Sequence, residues 1–225
     1  EYSNTSLKMI RKFTETRPGA HLEIVDVESV YGAAIPVAAQ HTNRGKEKPC
    51  SVCGLTKRHI MNRVARDGQY DVLVTGHNLD DEAAVLMGNT LNWLTGYLAR
   101  QGPVLPAKAD GLARKAKPFC RFYERETAAY TLLRGIDYIY DECPYSVGAS
   151  SIHHKTVLSD LELESPGTKL QFYLGFLRAR KEGAFERVAS GRPEMSSCRL
   201  CGQPTTAGDQ CAFCRLWDKV QERKE

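Results

Sequence analysis

With 225 residues and 42% hydrophobic content, the chain has material for one ordinary packed domain plus an appendage, and its composition excludes a disordered polypeptide. A net charge of +4 and a pI near 8.6 permit a nucleic-acid partner without arguing for one. No apolar run approaches the roughly 18 residues that span a bilayer, and no secretory leader opens the sequence, so no membrane partner and a cytoplasmic location are expected. In that compartment the eight cysteines read as metal ligands rather than disulfides.

Ser3 or Asn4 caps a predicted helix that runs to Thr16, with Leu7, Ile10 and Phe13 on one face and Arg17-Pro18-Gly19 as its stop. This opening looks like the entry to a helix already inside a domain, so a preceding portion of chain is expected. Residues 21–27 (HLEIVDV) read as a short strand, and residues 38–48 as a loop without periodic pattern. Residues 53–66 carry Leu55, Ile60 and Val64 at helical spacing, with Gly68 where a C-cap belongs. A strand over 70–75 follows, broken by Gly76.

Asp80, Asp81 and Glu82 then crowd the first turn of a helix predicted to reach Arg100, where acidic groups suit the positive helix end. The alternation implies a parallel sheet covered by helices, with ligands beyond the strand C-termini, where residues 76–82 fall. Residues 102–117 are basic and punctuated by Pro and Gly; 124–134 read as a helix, and a further short strand leads to Cys143. Another helix over 168–189 puts Leu170, Tyr173, Leu174 and Leu177 on one face, and a separate unit starts at Met195.

The most specific spacing is Cys198-x2-Cys201, nine residues, then Cys211-x2-Cys214. Four thiolates around one zinc saturate it, so the expected site is structural, a zinc ribbon on a short hairpin whose metal supplies stability that so small a unit lacks. Of the other four cysteines, Cys50 and Cys53 lie at a helix start near Lys57 and Arg58, which favours thiolates. Cys143 precedes a proline in an acidic turn, and Cys120 sits among aromatics, where a thiol is usually a small buried hydrophobe. Three cysteines can hold an iron–sulfur cluster with one iron left open. Spacing alone leaves a second zinc or a dithiol pair as alternatives and does not choose between Cys120 and Cys143.

The turn GHNLDDEA (76–83) offers a glycine for close backbone approach and carboxylates able to hold magnesium; helix capping is the competing reading. Lys108, Arg114, Lys115, Lys117, Arg121 and Arg125 form a basic segment suited to phosphates, with a smaller cluster at Arg178, Arg180 and Lys181. Runs of this kind are also ordinary solvated faces.

PCSVCG with Lys57 four residues after Cys53, GHNLDDEA, ECPYSVGA and the paired knuckles ending CAFCRL form an ordered set. With LNWLTGYLARQGPVLPA and SPGTKLQFYLGFLR they cover almost the whole chain. On these residues it resembles the tRNA 2-thiouridine synthetases of the TtuA type, a group that includes the archaeal and eukaryotic wobble-uridine thiolation proteins. The resemblance implies an α/β fold: a parallel-sheet PP-loop (adenine nucleotide α-hydrolase-like) ATP pyrophosphatase domain over residues 1–192, with a helical extension, and a C-terminal zinc ribbon over 193–225.

It further implies ATP- and magnesium-dependent adenylation of a uridine C2 oxygen, replaced by sulfur from an open-iron [4Fe–4S] cluster. By resemblance Cys50, Cys53 and Cys143 ligate that cluster, Lys57, Gly76 and Asp81 line the ATP site, and Cys198, Cys201, Cys211 and Cys214 hold zinc, while Cys120 matches no ligand. The implied partners are tRNA, a ubiquitin-like thiocarboxylated sulfur carrier and a second copy in a homodimer. The family's SGGKDS phosphate loop with its strand, and a first zinc finger, are not among these residues. A chain without them is expected not to adenylate RNA, because no other stretch offers the backbone nest that pyrophosphate needs. The alternatives are a PP-loop enzyme that thiolates cytidine and a non-catalytic zinc-binding RNA module.

Overall fold

A computed structural model of the chain describes residues 2–43, 49–107, 111–190 and 195–222. Lys108 of the basic segment, and residues 44–48 of the loop expected over 38–48, lie outside the described residues.

Helix α1 (Tyr2–Glu15) forms where a helix was expected, with Ser3 and Asn4 inside it rather than capping it. It has no buried residue, and its Lys12 forms an ion pair with Asp137. The strand expected over 21–27 does not form. Asp26 instead accepts from the N–H groups of Glu28 and Ser29 and caps a short helix, α2 (Val27–Tyr31), so the backbone turns where a strand would continue. Helix α3 (Ile35–Gln40) starts with Pro36 in its first turn and places Ala38 and Ala39 inside, taking three residues from the expected loop.

Helix α4 (Pro49–Asp67) is longer than its periodic core because Pro49, which lacks an N–H to leave unsatisfied, opens it ahead of Cys50. Its end is shaped by a pair of residues: Gly68 N–H bonds Val64 O at 2.9 Å, and Gln69 takes the left-handed conformation. A Cβ at Gly68 would lie 2.5 Å from the Tyr70 ring, which would have to shift to make room for it.

The sheet is small and mixed rather than all-parallel. Strand β1 (Leu73–Val74) pairs in parallel with β3 (Lys115–Ala116), and β2 (Val104–Leu105) pairs antiparallel with β3, in the order β1-β3-β2. Residues 102–117, basic and punctuated by Pro and Gly, therefore supply two strands. The outer edge of β1 carries no strand among the described residues, leaving Val72 and Val74 exposed beside an apolar groove of about 390 Å³ shared with Glu23 and Val25.

Between the strands, α5 (Leu79–Leu91) ends earlier than expected. Asn92 Nδ2 donates to Gly88 O, Trp93 adopts a positive φ, and a separate turn of helix, α6 (Thr95–Leu98), follows. After α7 (Glu124–Leu133), residues 134–149 form loop and turns, not the strand expected before Cys143. Helix α8 (Ser150–Glu164) has no counterpart in the sequence reading. The long helix expected over 168–189 is split into α9 (Thr168–Lys181) and α10 (Glu186–Ser190) by a turn in which Gly183 is left-handed. Helices α8 and α9 pack on α5 around Leu79, Leu86, Ala83, Leu158 and Tyr173.

A hairpin, β4 (Ser196–Ser197) with β5 (Pro204–Thr205), then leads into α11 (Ala212–Glu222). Helix α11 buries Phe213, Leu216, Trp217 and Val220 against Ala33, Ala38 and Val52, so the C-terminal unit shares a core with α3 and α4. No described helix is long and apolar enough to cross a membrane.

Candidate functional site

The C-terminal cysteines converge as their spacing predicts. All four Sγ atoms lie within 4.8 Å of one another, and both the Cys198–Cys214 and Cys201–Cys211 pairs are 3.8 Å apart. Sulfurs placed tetrahedrally about 2.3 Å from one centre are separated by about 3.8 Å, so the set fits a four-coordinate metal ion. Cys198 and Cys201 sit on the hairpin, whereas Cys211 and Cys214 flank the start of α11, a refinement of the two-knuckle hairpin expected. Burial raises the Cys198 pKa, but backbone N–H groups of Cys211, Cys201 and Leu200 outweigh it and bring the thiol down to about 6. Its Sγ accepts from Cys211 N–H at 3.3 Å. These donors favour a thiolate, the form a metal requires.

Cys50 and Cys53 occupy the first turns of α4; Cys50 is exposed and Cys53 half-buried, while Val52 between them is fully enclosed. Cys50 Sγ donates to Tyr145 O at 3.3 Å, which brings the helix start onto the turn that contains Cys143. That turn is closed by Ser146, whose N–H and Oγ both donate to Cys143 O, at 2.8 and 2.7 Å. Lys57 is exposed on α4. Gly76 is exposed beyond β1, and a Cβ there would meet nothing within 4 Å, so neither packing nor a positive φ demands glycine. Cys120 is buried with Leu79, Leu86 and Tyr173, where burial and the nearby Glu82 raise its pKa.

Each carboxylate of the 80–82 triplet meets a different lysine. Asp80 pairs with Lys169 at 2.5 Å inside the core and also accepts from Glu124 N–H. Glu82, 1% exposed, pairs with Lys117 at 2.6 Å. Asp81 closes a capping box with Asn78 and pairs with Lys155 at 2.7 Å. The capping reading therefore holds for Asp81, and of the three it alone is partly exposed and borders a cleft. Burial lowers the Lys155 pKa, but Asp81 and Glu124 outweigh it and the ammonium is held above its ordinary value. The cleft, about 580 Å³, is lined by His77, Asp81, Glu124, Glu142, Lys155 and Thr156 among others. Glu142 adjoins Cys143, so the cleft joins the acidic helix start to the cysteine turn.

Sequence reasoning missed Lys155 and Lys169, and placed Lys117 in a basic run read as either phosphate-binding or a solvated face. Rather than one solvated face, the segment is divided: Lys117 is an ion-pair partner, Arg125 lies over the Tyr123 ring, and burial lowers the Lys115 pKa. No local pattern announces these pairings.

The fold and the four-thiol site together define a metal-binding α/β protein with a second cysteine set at a helix start. No family model matches the chain. It is 49% identical over 226 residues to the tRNA-5-methyluridine(54) 2-sulfurtransferase of Thermus thermophilus, covering 99% of this chain and 67% of that protein. To the enzyme of the same name from Thermotoga maritima it is 46% identical over 204 residues, covering 90% and 64%. The chain belongs to the tRNA-5-methyluridine(54) 2-sulfurtransferase family and spans about two thirds of the length of these relatives. Its fold is similar to that of the U34-tRNA thiolase NcsA from Methanococcus maripaludis, solved with its [4Fe–4S] cluster: the TM-score is 0.70 at 24% identity, covering 96% of this chain and 64% of that one.

Proposed function

We propose that this chain is the metal-bearing part of an ATP-dependent tRNA uridine 2-sulfurtransferase. Family membership supports the activity, and the contact of Cys50 Sγ with Tyr145 O carries the site assignment. On this reading Cys50, Cys53 and Cys143 hold a [4Fe–4S] cluster, in line with the name of the similar NcsA structure. When bound, the cluster supplies an open iron at which sulfur is accepted. The chemistry of the donors supports it, with two thiols at a helix N-terminus and a third on the turn that Cys50 touches. Among the described residues only the C-terminal four thiols stand within ligand distance of one another.

Lys57, Gly76 and Asp81 are assigned to ATP, Asp81 also to magnesium. The backbone at Gly76 is open to solvent, and Asp81 lines the cleft. ATP adenylates the uridine C2 oxygen and makes it a leaving group; the cleft beside the cysteine turn receives the base. Cys198, Cys201, Cys211 and Cys214 hold zinc as a structural ion. We assign residues 1–192 to the PP-loop catalytic part and 193–225 to the ribbon. tRNA, a thiocarboxylated ubiquitin-like carrier and a second copy of the chain are the partners.

Anaerobic reconstitution with iron and sulfide tests the reading. The protein is expected to turn brown, with absorbance near about 400 nm, as thiolate-ligated clusters do. Cys143→Ala should lose this absorbance and Cys120→Ala keep it; the reverse pattern overturns the ligand set. A colourless protein that binds two zinc ions per chain would instead mark a zinc-binding RNA module.

A further inference from the structure

The two cysteine sets are joined by a continuous packed and hydrogen-bonded connection. The Cys198 N–H donates to Gln203 O at 2.9 Å. The Gln203 side chain, in a residue only 6% exposed, turns away from the hairpin onto α4. Its Nε2 donates to His59 O at 3.0 Å and lies 3.2 Å from His59 Nε2, and its Oε1 accepts from Asn62 Nδ2 at 3.1 Å. The His59 ring stacks flat on Phe213, with centroids 3.6 Å apart and planes 3° from parallel, and Phe213 adjoins Cys214. From the other end, Val52 sits in one cluster with Cys198, Phe213, Trp217 and Val220, with no solvent exposure. His59 lies six residues beyond Cys53, about 9 Å along a continuous helix.

Such a connection is stiff for physical reasons. A buried amide that satisfies its donors and acceptor across two elements admits few other arrangements, because each alternative strands a polar group. An enclosed valine between an exposed thiol and a half-buried one fixes the backbone on which both stand. We propose that Gln203, His59 and Phe213 are positioning residues for the Cys50/Cys53 pair: the four-cysteine hairpin seats Val52 and sets the register of α4. Loosening the clamp frees the helix start and uncouples Cys50 from the turn of Cys143 and Tyr145. The inference rests on the cluster reading above only for its second measurement.

Gln203→Met keeps the side chain's size and removes its amide. In zinc-loaded, iron-free protein, peptide-resolved alkylation should label Cys53 about tenfold faster than in the wild type, the scale set by losing one or two buried hydrogen bonds. Cys143 should react at its wild-type rate, and zinc content should be unchanged. After anaerobic reconstitution, iron per chain should fall well below the wild type. Wild-type labelling of Cys53 in Gln203→Met overturns the inference. If that variant loses zinc, His59→Leu, which leaves every atom of the hairpin in place, must give the same faster labelling. Wild-type protein that takes up no iron defeats the cluster reading, while the alkylation rates still decide this one.

Discussion

Lys169 and Asp80 form an ion pair whose side chains are 6% and 9% exposed, with Ser159 Oγ and Glu124 N–H meeting the remaining polar atoms. A pair this deep is stable only while both members are present, since either one alone is an uncompensated buried charge. Lys169→Met should destabilise the fold by about 3–5 kcal/mol, and adding Asp80→Asn should restore much of that loss. Urea titration of both variants checks it; equal stability for the single and double variants would falsify the account.

His59 offers a test in pH. Burial, then the charges of Arg63 and Arg66 on the same helix, lower its pKa to about 4, while the facing Gln203 and Phe213 carry no charge. In the unfolded chain the imidazole takes up its proton near about 6.5. Because the folded value is the lower one, the unfolded state binds more protons between these limits. Stability from this residue is complete above about 6.5 and falls by about 3 kcal/mol as the pH drops toward 4. His59→Asn should flatten that slope in thermal melts, with the acid lability of the thiolate site common to both proteins. An unchanged slope removes His59 as the cause.

At the scale of elements, α5 shows how one helix start is used in three directions. Its capping box joins Asn78 to Asp81, while Asp80 and Glu82 face inward to lysines on α9 and near β3. Asn78→Ala should cost about 1 kcal/mol, measured by denaturant unfolding, because Asp81 N–H loses its acceptor. Full retention of stability would mean that Lys155 alone anchors Asp81.

Periodic helices such as α1, α4 and α7 were legible, since each carries its own apolar spacing or stop residue. Helix α8 was not, because SSIHHK opens it without an apolar repeat and it has no side-chain cap. The strand over 21–27 was misread because alternating apolar residues describe an extended chain, while a strand also needs a neighbour to bond. In the site, the convergence of Cys198, Cys201, Cys211 and Cys214 was readable from their spacing. The lysine partners were not: Lys117 lies 35 residues from Glu82 and Lys169 lies 89 from Asp80, beyond any local pattern.

For the whole molecule, the shared core of α3, α4 and α11 makes the four-cysteine site a keystone rather than an appendage. Removing its metal should leave four close thiols without their ion and release α11. The chain has two tryptophans, Trp93 at 75% exposure and Trp217 at 3%, so a change in burial is read from Trp217. Chelation should red-shift the emission and admit iodide quenching, both reversed by zinc. Emission unaffected by complete metal removal would show that the core holds without it.

That core also imposes a schedule on synthesis. A ribosome delivers Val52 and its flanking cysteines well before Phe213, Trp217 and Val220, the residues that enclose it. Until those emerge, the nascent polypeptide presents an uncovered valine between two reactive sulfurs, a state open to oxidation or to the wrong metal. Emergence of the C-terminal thiols and capture of their metal close that window, so maturation of the earlier cysteine pair belongs after that capture.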